Sequence, residues 1–162
     1  IYLKCFKMKI EYIPHPNLII QKKYLKNFDI KDSRNNNLKL LYFGPVLKYK
    51  GIEILIEVMN ELIDMPIELL VAGVCDEKLR INLIKKNKNK NVSFVFKYFN
   101  VEEIEPLFKK NDLCIYPFDK RSVLNSSSVI LAFSNERTVL CPFISTLNDY
   151  NTNIYFIQES PC

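Results

Sequence analysis

The sequence predicts an α/β fold, a Rossmann-like parallel sheet with helices on both faces. From Leu38 onward, short and continuously apolar segments alternate with longer segments that have helical periodicity. Strands that are apolar throughout need cover on both faces of a sheet, and crossover helices between parallel strands provide it. The length of 162 residues, with 48% hydrophobic and 25% charged residues, is typical of one globular domain and argues against a disordered chain.

The apolar segments locate the strands, and capping residues locate the helices. Strands are predicted over residues 40–43, 67–72, 92–96, 112–117 and 138–141, with a sixth over 154–157. Asp76 is a good N-cap for a helix that ends near Lys86. Asn100 and Glu103 resemble a capping box at the start of the next helix, and Pro106 is expected to kink or split that helix.

The helix predicted after Gly51 is apolar on most of its circumference. Its polar residues recur at helical spacing and form one narrow stripe, consisting of Glu53, Glu57, Asn60 and Glu61. The pattern therefore predicts a helix that is packed on most sides.

A basic loop joins the first strand to this helix. The chain has only three glycines, and two of them, Gly44 and Gly51, bracket a loop that contains Lys48 and Lys50. A helix that starts at Gly51 directs free N–H groups and the positive end of its dipole toward the space above the loop, which favours an anion. Taken alone, the pattern also fits an ordinary turn between a strand and a helix.

A serine-rich segment, Ser126, Ser127 and Ser128, begins the helix predicted over residues 126–134. It has no acidic residue in its first turn, and Lys120 and Arg121 precede it. This pattern is typical of a phosphate site, although a serine run can also simply end a loop and begin a helix. The carboxyl ends of parallel strands share one edge of the sheet, so we expect a diphosphate between the two helix starts.

Charge and cysteine content narrow the functional classes. The net charge is +5, with a local concentration of lysines over residues 85–90. Such a run is usually a solvated helix end, with an anionic membrane surface or a polyanion as alternatives, and no nucleic-acid-binding signature accompanies it. The five cysteines are widely spaced, odd in number and include no CxxC pair. Cys114 and Cys141 lie inside apolar runs, which predicts buried thiols in a reducing compartment and no metal site. With no apolar stretch long enough to span a bilayer and no signal-peptide pattern, we expect a cytoplasmic protein.

The order of these segments resembles the C-terminal, donor-binding half of retaining glycosyltransferases of the GT-B architecture, the group 1 or family 4 enzymes that build bacterial surface polysaccharides. The resemblance covers about residues 10–145. The matching segments are EYIPHPN, LLYFGPVLKYKGIEILIEVM, LLVAG, VSFVFKYFNVEEIEPLFKKNDLCIYPF, and NSSSVILAFS followed by TVLCP.

The resemblance implies a nucleoside diphosphate sugar as donor and no metal or other cofactor. It places the donor diphosphate on Lys50 and the serine-rich helix start. Gly44 and Lys48, in the same loop as Lys50, belong to this candidate diphosphate site. The resemblance places Tyr98 and Phe99 near the base. The implied reaction is transfer of the sugar with retention to a glycan or lipid-linked acceptor, as catalysed by a retaining hexosyltransferase.

Three departures from the family are visible in the sequence. Pro45, Val46 and Leu47 replace the family's arginine, and Val123 and Leu131 stand where the family has two glutamates. The glycine-rich turn that usually follows the TVLCP segment is absent. A non-catalytic, degenerate transferase domain that binds a nucleotide or docks a partner is therefore the alternative, with a flavodoxin-like phosphate-binding domain as a weaker one.

The resemblance also predicts the domain organisation. Residues 1–17 correspond to the end of an N-terminal domain and its linker, and residues 18–162 to a nucleotide-sugar-binding domain that is incomplete at its C-terminus. We expect an acceptor-binding domain in the same or another chain, with a peripheral membrane contact through that half at the inner face of the membrane. The present chain alone is expected to bind donor without efficient turnover.

Overall fold

In the part of the chain that the structure describes, six parallel strands form one sheet. The structure is a computed structural model that describes residues 37–119, 121 and 126–143, together with the backbone of residues 154–156. The strands are β1, Leu38–Phe43; β2, Ile67–Ala72; β3, Val92–Val95; β4, Leu113–Ile115; β5, Thr138–Cys141; and β6, Ile154–Phe156. All six predicted strands are present, and each neighbouring pair is parallel.

Four helices connect these strands within the described residues. They are α1, Ile52–Glu61; α2, Glu77–Lys86; α3, Val101–Lys109; and α4, Ser127–Ser134. The strand order is β3-β2-β1-β4-β5-β6, so the chain moves outward from β1 to β3 and then returns to place β4 beside β1. Right-handed crossovers that run in opposite directions lie on opposite faces of a sheet, which places α1 and α2 on one face and α3 and α4 on the other. The predicted Rossmann-like fold is confirmed.

Local side-chain caps begin α2 and α3 where the sequence predicted them. The Asp76 carboxylate accepts a hydrogen bond from the Leu79 N–H at 3.0 Å, and the Glu103 carboxylate accepts one from the Asn100 N–H at 3.0 Å. Of the kink or split predicted at Pro106, the split is wrong, because α3 runs through Pro106 without interruption. Proline removes only one N–H donor there, and packing of the apolar side of α3 on the core holds the last turn in place.

The core is centred on β1 because that strand lies in the middle of the sheet. Its residues Leu41 and Tyr42 are almost completely buried. The Tyr42 ring packs against Tyr116 with ring centroids 5.7 Å apart, and Phe43 packs edge-to-face against Phe108 at 5.2 Å. Tyr42 and Phe43 are consecutive, so these aromatic contacts pack both sides of the end of β1, where the candidate site begins.

Two cysteines are buried in this core, as the sequence predicted. Cys114 on β4 and Cys141 on β5 carry free thiols. Burial raises the pKa of each thiol to about 12. Both therefore remain protonated at neutral pH and act as small apolar side chains.

The outer surface of α1 differs from the prediction of a narrow polar stripe. Glu53 turns toward α2, where its carboxylate accepts hydrogen bonds from Asn82 at 2.6 Å and from Lys86 at 3.3 Å. Ile54 and Val58 are instead exposed, by 58% and 43%. The prediction was wrong because the polar side of α1 is partly used to bind the neighbouring helix, which leaves apolar residues facing outward.

The loop between α2 and β3 is tied to the C-terminal end of α1 by asparagine side chains. Asn60 donates to the carbonyl of the last residue of α2 at 2.9 Å and accepts from the Lys88 N–H at 2.8 Å. Asn89 is fully buried, donates to the Met59 carbonyl, and accepts from the Asn91 N–H at 2.9 Å. The polar groups of this buried connection are therefore satisfied without solvent.

Replacement of Asn89 by alanine is expected to lower the free energy of unfolding by about 1–3 kcal/mol, because the Met59 carbonyl and the Asn91 N–H then lose their buried partner. Urea denaturation followed by circular dichroism measures the change. The matched control is Lys90→Ala on the same loop, an exposed residue for which a change within about 0.5 kcal/mol is expected. Equal stability of the two variants would contradict a structural role for Asn89.

Candidate functional site

The carboxyl ends of β1 and β4 lie side by side at the point where the strand order reverses. β1 pairs with β2 on one side and with β4 on the other, so the crossovers that leave β1 and β4 diverge to opposite faces. In open α/β sheets, ligands bind in the crevice that this divergence leaves. The loop after β1 and the segment after β4 border the crevice.

The turn after β1 and the start of α4 are in direct contact. Gly44 has a φ of +129°, and a Cβ atom on it would lie 2.4 Å from the Ser128 Oγ. Gly73, the residue after β2, approaches from another side, since a Cβ there would lie 1.9 Å from the Gly44 carbonyl oxygen. Gly44 is one of the predicted site residues, and Gly73 is not. The available signal was that each glycine directly follows an apolar strand.

The start of α1 meets the segment after β4 at the same edge. Gly51 has a φ of +76°, and its N–H donates to the Lys48 carbonyl at 3.2 Å, which ends the single 3₁₀ turn of Lys48–Lys50. A Cβ atom on Gly51 would lie 2.0 Å from the Pro117 carbonyl oxygen. The structure therefore brings the starts of α1 and α4 to the same crevice.

The two lysines of the loop have different environments. Lys50 is half-buried, and this burial lowers the pKa of its ammonium group. No carboxylate among the described residues forms an ion pair with it. The Lys48 side chain is 83% exposed, and its Nζ lies 3.8 Å from a Glu53 carboxylate oxygen. Lys50 is therefore the cation that an anion in the crevice would stabilise more, because it is already partly desolvated and lacks a carboxylate partner.

The first turn of α4 presents N–H groups and no negative charge. Ser126 caps the helix, and its Oγ accepts from the Val129 N–H at 3.4 Å. The N–H groups of Ser127 and Ser128 donate to no residue in the described part of the chain. Ser127 is exposed and Ser128 is buried against the turn after β1. With no acidic residue in this turn, the positive end of the helix dipole is not neutralised locally.

Tyr116 holds this first turn in place from below. Its hydroxyl donates to the Ser128 carbonyl at 3.1 Å, and its ring is almost fully buried. Burial raises the pKa of the Tyr116 phenol, so the hydroxyl keeps the proton that it donates. The sequence analysis did not identify this residue, since an aromatic residue after a buried strand carries no distinctive signal.

Arg121, one of the two cations that precede α4, contributes less than the sequence suggested. The Arg121 guanidinium donates to the Asp119 carboxylate at 2.8 Å through Nη2 and at 3.1 Å through Nε. Its charge is therefore already balanced by a neighbouring acid. Lys120 lies outside the described residues.

Tyr98 and Phe99 lie in the loop after β3, on the same edge of the sheet. The Phe99 ring packs edge-to-face against Phe43 at the end of β1, with centroids 5.4 Å apart. The Lys97 ammonium lies 4.8 Å from the centre of the Phe99 ring. The Tyr98 side chain is 79% exposed. The loop is thus fixed to β1 through one aromatic ring and presents the other to solvent.

The segment that replaces the family's arginine has a structural role here. Val46 is fully buried, its N–H donates to the Val74 carbonyl at 2.8 Å, and it forms an isolated parallel bridge with Cys75. The loop between Gly44 and Lys48 is therefore anchored to the segment after β2. This position supplies packing and main-chain hydrogen bonds where an arginine would supply a charge.

One of the two positions that hold glutamates in the family can be described. Leu131 on α4 is partly buried and packs against the core. It therefore offers an apolar surface and no hydrogen-bond acceptor. Val123, the other position, lies outside the described residues.

Within the ranges that the structure describes, no group of three or more His, Cys, Asp or Glu residues is placed to hold a metal ion. None of the helices described there is long and apolar enough to cross a membrane.

Known proteins with similar folds include glycosyltransferase domains. The C-terminal domain of a glycosyl transferase group 1 family protein (LpcC) from Francisella tularensis superposes with a TM-score of 0.59 at 16% identity, covering 74% of this chain and 67% of that one. Alr3699/HepE from Anabaena, in complex with UDP and glucose, superposes with a TM-score of 0.57 at 15% identity, covering 75% of this chain and 34% of that one. At these identities the superpositions establish the fold.

Sequence comparisons give the family. A GDP-mannose:glycolipid 4-beta-D-mannosyltransferase from Xanthomonas campestris pv. campestris is 26% identical over 107 residues, which are 65% of this chain. The chain spans only 30% of the length of that relative. The model of the family "Glycosyl transferases group 1" matches residues 24–120, more than half of the chain. The chain therefore belongs to the group 1 family of glycosyl transferases.

Proposed function

We propose that this chain is the donor-binding half of a retaining glycosyltransferase and that it holds the diphosphate of a nucleoside diphosphate sugar between Lys50 and the first turn of α4. The observation that carries the proposal is the half-buried Lys50, whose pKa is lowered by burial and which has no ion pair with any described residue. It lies at the edge of the sheet where α/β proteins bind ligands. Gly44 and the serines of α4 complete the proposed site.

The chemical role of this site is to stabilise negative charge on the departing nucleoside diphosphate. As the glycosidic bond to the donor breaks, charge develops on the diphosphate oxygens. An ammonium group and helix N–H groups that are already oriented stabilise that charge in a partly water-excluded crevice. We propose that this arrangement acts without a metal ion or other cofactor. Lys48, which is exposed and close to Glu53, makes a weaker contribution.

The nucleotide base is proposed to lie near Tyr98 and Phe99. The loop that carries them is fixed to the end of β1 by the contact between Phe99 and Phe43. The exposed Tyr98 ring offers a face on which a base can stack. The bound UDP of the Anabaena protein is consistent with a nucleotide as the ligand of this fold.

The acceptor is proposed to bind to a second domain, in the same chain or another. The Xanthomonas relative is named for transfer to a glycolipid, and this chain spans 30% of its length. We therefore propose a glycan or lipid-linked acceptor, with the acceptor contacts and a peripheral membrane contact supplied by that second domain.

A second candidate function is a degenerate domain that docks a partner and does not turn over donor. The observations that favour it are the apolar Leu131 at a glutamate position of the family and the buried Val46 in the segment that replaces the arginine. Titration with UDP, GDP and their sugars distinguishes the two candidates. Absence of binding at millimolar ligand would favour the docking function and reject the donor site.

Replacement of Lys50 by alanine is expected to weaken binding of a nucleoside diphosphate about 10- to 100-fold, because a charge-assisted contact to phosphate is lost. Lys48→Ala is expected to weaken binding at most about fivefold, since its charge is exposed and shared with Glu53. Isothermal titration calorimetry with UDP and GDP measures both. Lys110→Ala, an exposed residue after α3, is the control, and equal losses for Lys50 and Lys110 would indicate nonspecific charge attraction.

Replacement of Gly44 by alanine is expected to impair both binding and stability. The new Cβ atom would collide with the Ser128 Oγ, and a φ of +129° is strained for any residue with a side chain. We expect a loss of about 1–3 kcal/mol in the free energy of unfolding and weaker UDP binding as the start of α4 shifts. Thermal unfolding and calorimetry measure the two effects, and wild-type values for both would show that the contact is unimportant.

Nucleoside diphosphate affinity is expected to fall as pH rises, because the site needs the protonated form of Lys50. Burial lowers the pKa of Lys50 below its ordinary value of 10.5. The affinity should therefore begin to fall at a lower pH than an exposed lysine would allow, by up to about tenfold per pH unit above that pKa. Calorimetry over a pH series tests this. Lys50→Arg keeps its charge at every pH used, so a matching decline in that variant would contradict the assignment to Lys50.

A further inference from the structure

The face of α2 that points away from the core is apolar at its centre. Ile81 and Ile84 lie one turn apart on this helix and are 57% and 51% exposed, whereas Leu79 and Leu83 are buried in the core. The helix therefore has a buried apolar side and a smaller exposed one. Burial of these exposed isoleucines against another apolar surface would be favourable, because it removes their side chains from water. This outer side is therefore a candidate contact surface.

The same segment concentrates the positive charge of the chain. Between Glu77 and Asn91 there are six cations and one carboxylate, a net charge equal to the +5 of the whole chain. Glu77 pairs with Arg80 at 3.4 Å, and Lys86 pairs with two glutamates of α1 at 3.3 Å. The other four cations are exposed and form no ion pair with any residue that the structure describes; they are Lys78, Lys85, Lys88 and Lys90.

The lysines after α2 are presented by an ordered backbone. Asparagines alternate with them in the sequence and make hydrogen bonds to the protein: Asn87 donates to the Asn89 carbonyl at 3.1 Å, and Asn89 is buried against the end of α1. The Lys88 N–H is held by Asn60 at 2.8 Å. The loop therefore turns its asparagines inward and its lysines outward, which distinguishes it from a flexible charged tail.

This surface is separate from the candidate donor site. α2 begins after the carboxyl end of β2 and is ten residues long, about 15 Å, so that it ends before the amino end of β3. Lys88 and Lys90, which follow its last turn, therefore lie toward the opposite edge of the sheet from Lys50, whereas the Lys86 ammonium reaches back to Glu53. Attraction of the donor diphosphate does not account for them.

We propose that this α2 surface, consisting of Ile81, Ile84, Lys85, Lys88 and Lys90, binds an anionic lipid surface. The lysines contact the anionic headgroups, and the two isoleucines insert between them at the boundary with the acyl chains. Charge complementarity selects the anionic surface, and the exposed isoleucines favour a lipid over a nucleic acid, which would contact only the cations. The proposal stands independently of the donor site.

The test is sedimentation of the full chain with phosphatidylcholine vesicles that contain or lack phosphatidylglycerol. Binding is expected only to the anionic vesicles. Neutralising Lys88 and Lys90 to glutamine should weaken it about fivefold for each lysine. Ile81→Ser with Ile84→Ser should weaken it at unchanged charge. The matched controls lie on and after α3, where Lys110→Gln and the exposed Val101→Ser are expected to bind as the wild type does.

Two results would overturn the proposal. One is equal binding of the lysine variant and the Lys110→Gln control, which would show that the cations of α2 are not used. The other is loss of binding in the lysine variant with no effect of the isoleucine changes, together with equally tight binding to a single-stranded RNA, which would identify a polyanion-binding surface. Circular dichroism of each variant establishes that it is folded, and the two pairs of substitutions test the surface separately.

Discussion

The carboxyl edge of the sheet depends on a turn that has no room for a side chain. A Cβ atom added to Gly73 would collide with the Gly44 carbonyl oxygen, and one added to Gly44 would collide with the Ser128 Oγ. A methyl group on Gly44 would push the turn away from the start of α4, and one on Gly73 would push it away from the end of β2. The position of the α4 start, and hence of its free N–H groups, follows from this close approach. The hydrogen bond from Tyr116 to the Ser128 carbonyl fixes the same turn from the core side.

Ion pairing distinguishes the lysines of this basic chain. Lys86 has its charge balanced by two glutamates of α1, and Lys48 lies near Glu53. Lys50 is half-buried without such a partner among the described residues, which costs free energy in the unliganded chain because desolvation disfavours the charged form. An anion in the crevice would remove part of that cost. At the carboxyl edge of the sheet, Lys50 is therefore the best candidate for binding an anion because of its environment more than its charge.

Much of the fold could be predicted from the sequence because its signals are local. The apolar strands, the Asp76 cap and the capping box at Asn100 each depend on neighbours within a few residues, and all are present. Two predictions failed because contacts between distant elements outweigh the local signal. Pro106 lies in an unbroken helix because tertiary packing compensates for one lost hydrogen bond, and Ile54 is exposed because the polar side of α1 is turned toward α2.

The candidate site was predictable only in part, because its residues come together through long-range contacts. Its glycines, lysines and serines carry sequence signals of their own. By contrast, the hydrogen bond from Tyr116 to Ser128, the contact of Gly73 with Gly44 and the difference in burial between Lys48 and Lys50 arise from packing. The periodicity and spacing of residues in the sequence do not predict such long-range contacts.

Two of the departures from the family remove polar or charged groups from the neighbourhood of the proposed donor site. Leu131 packs on the core and offers no acceptor to a ribose hydroxyl, and Val46 replaces an arginine with a buried anchor. The groups proposed to contact phosphate, Lys50 and the start of α4, are retained and oriented. Under the proposed function, this half therefore derives its affinity mainly from the diphosphate.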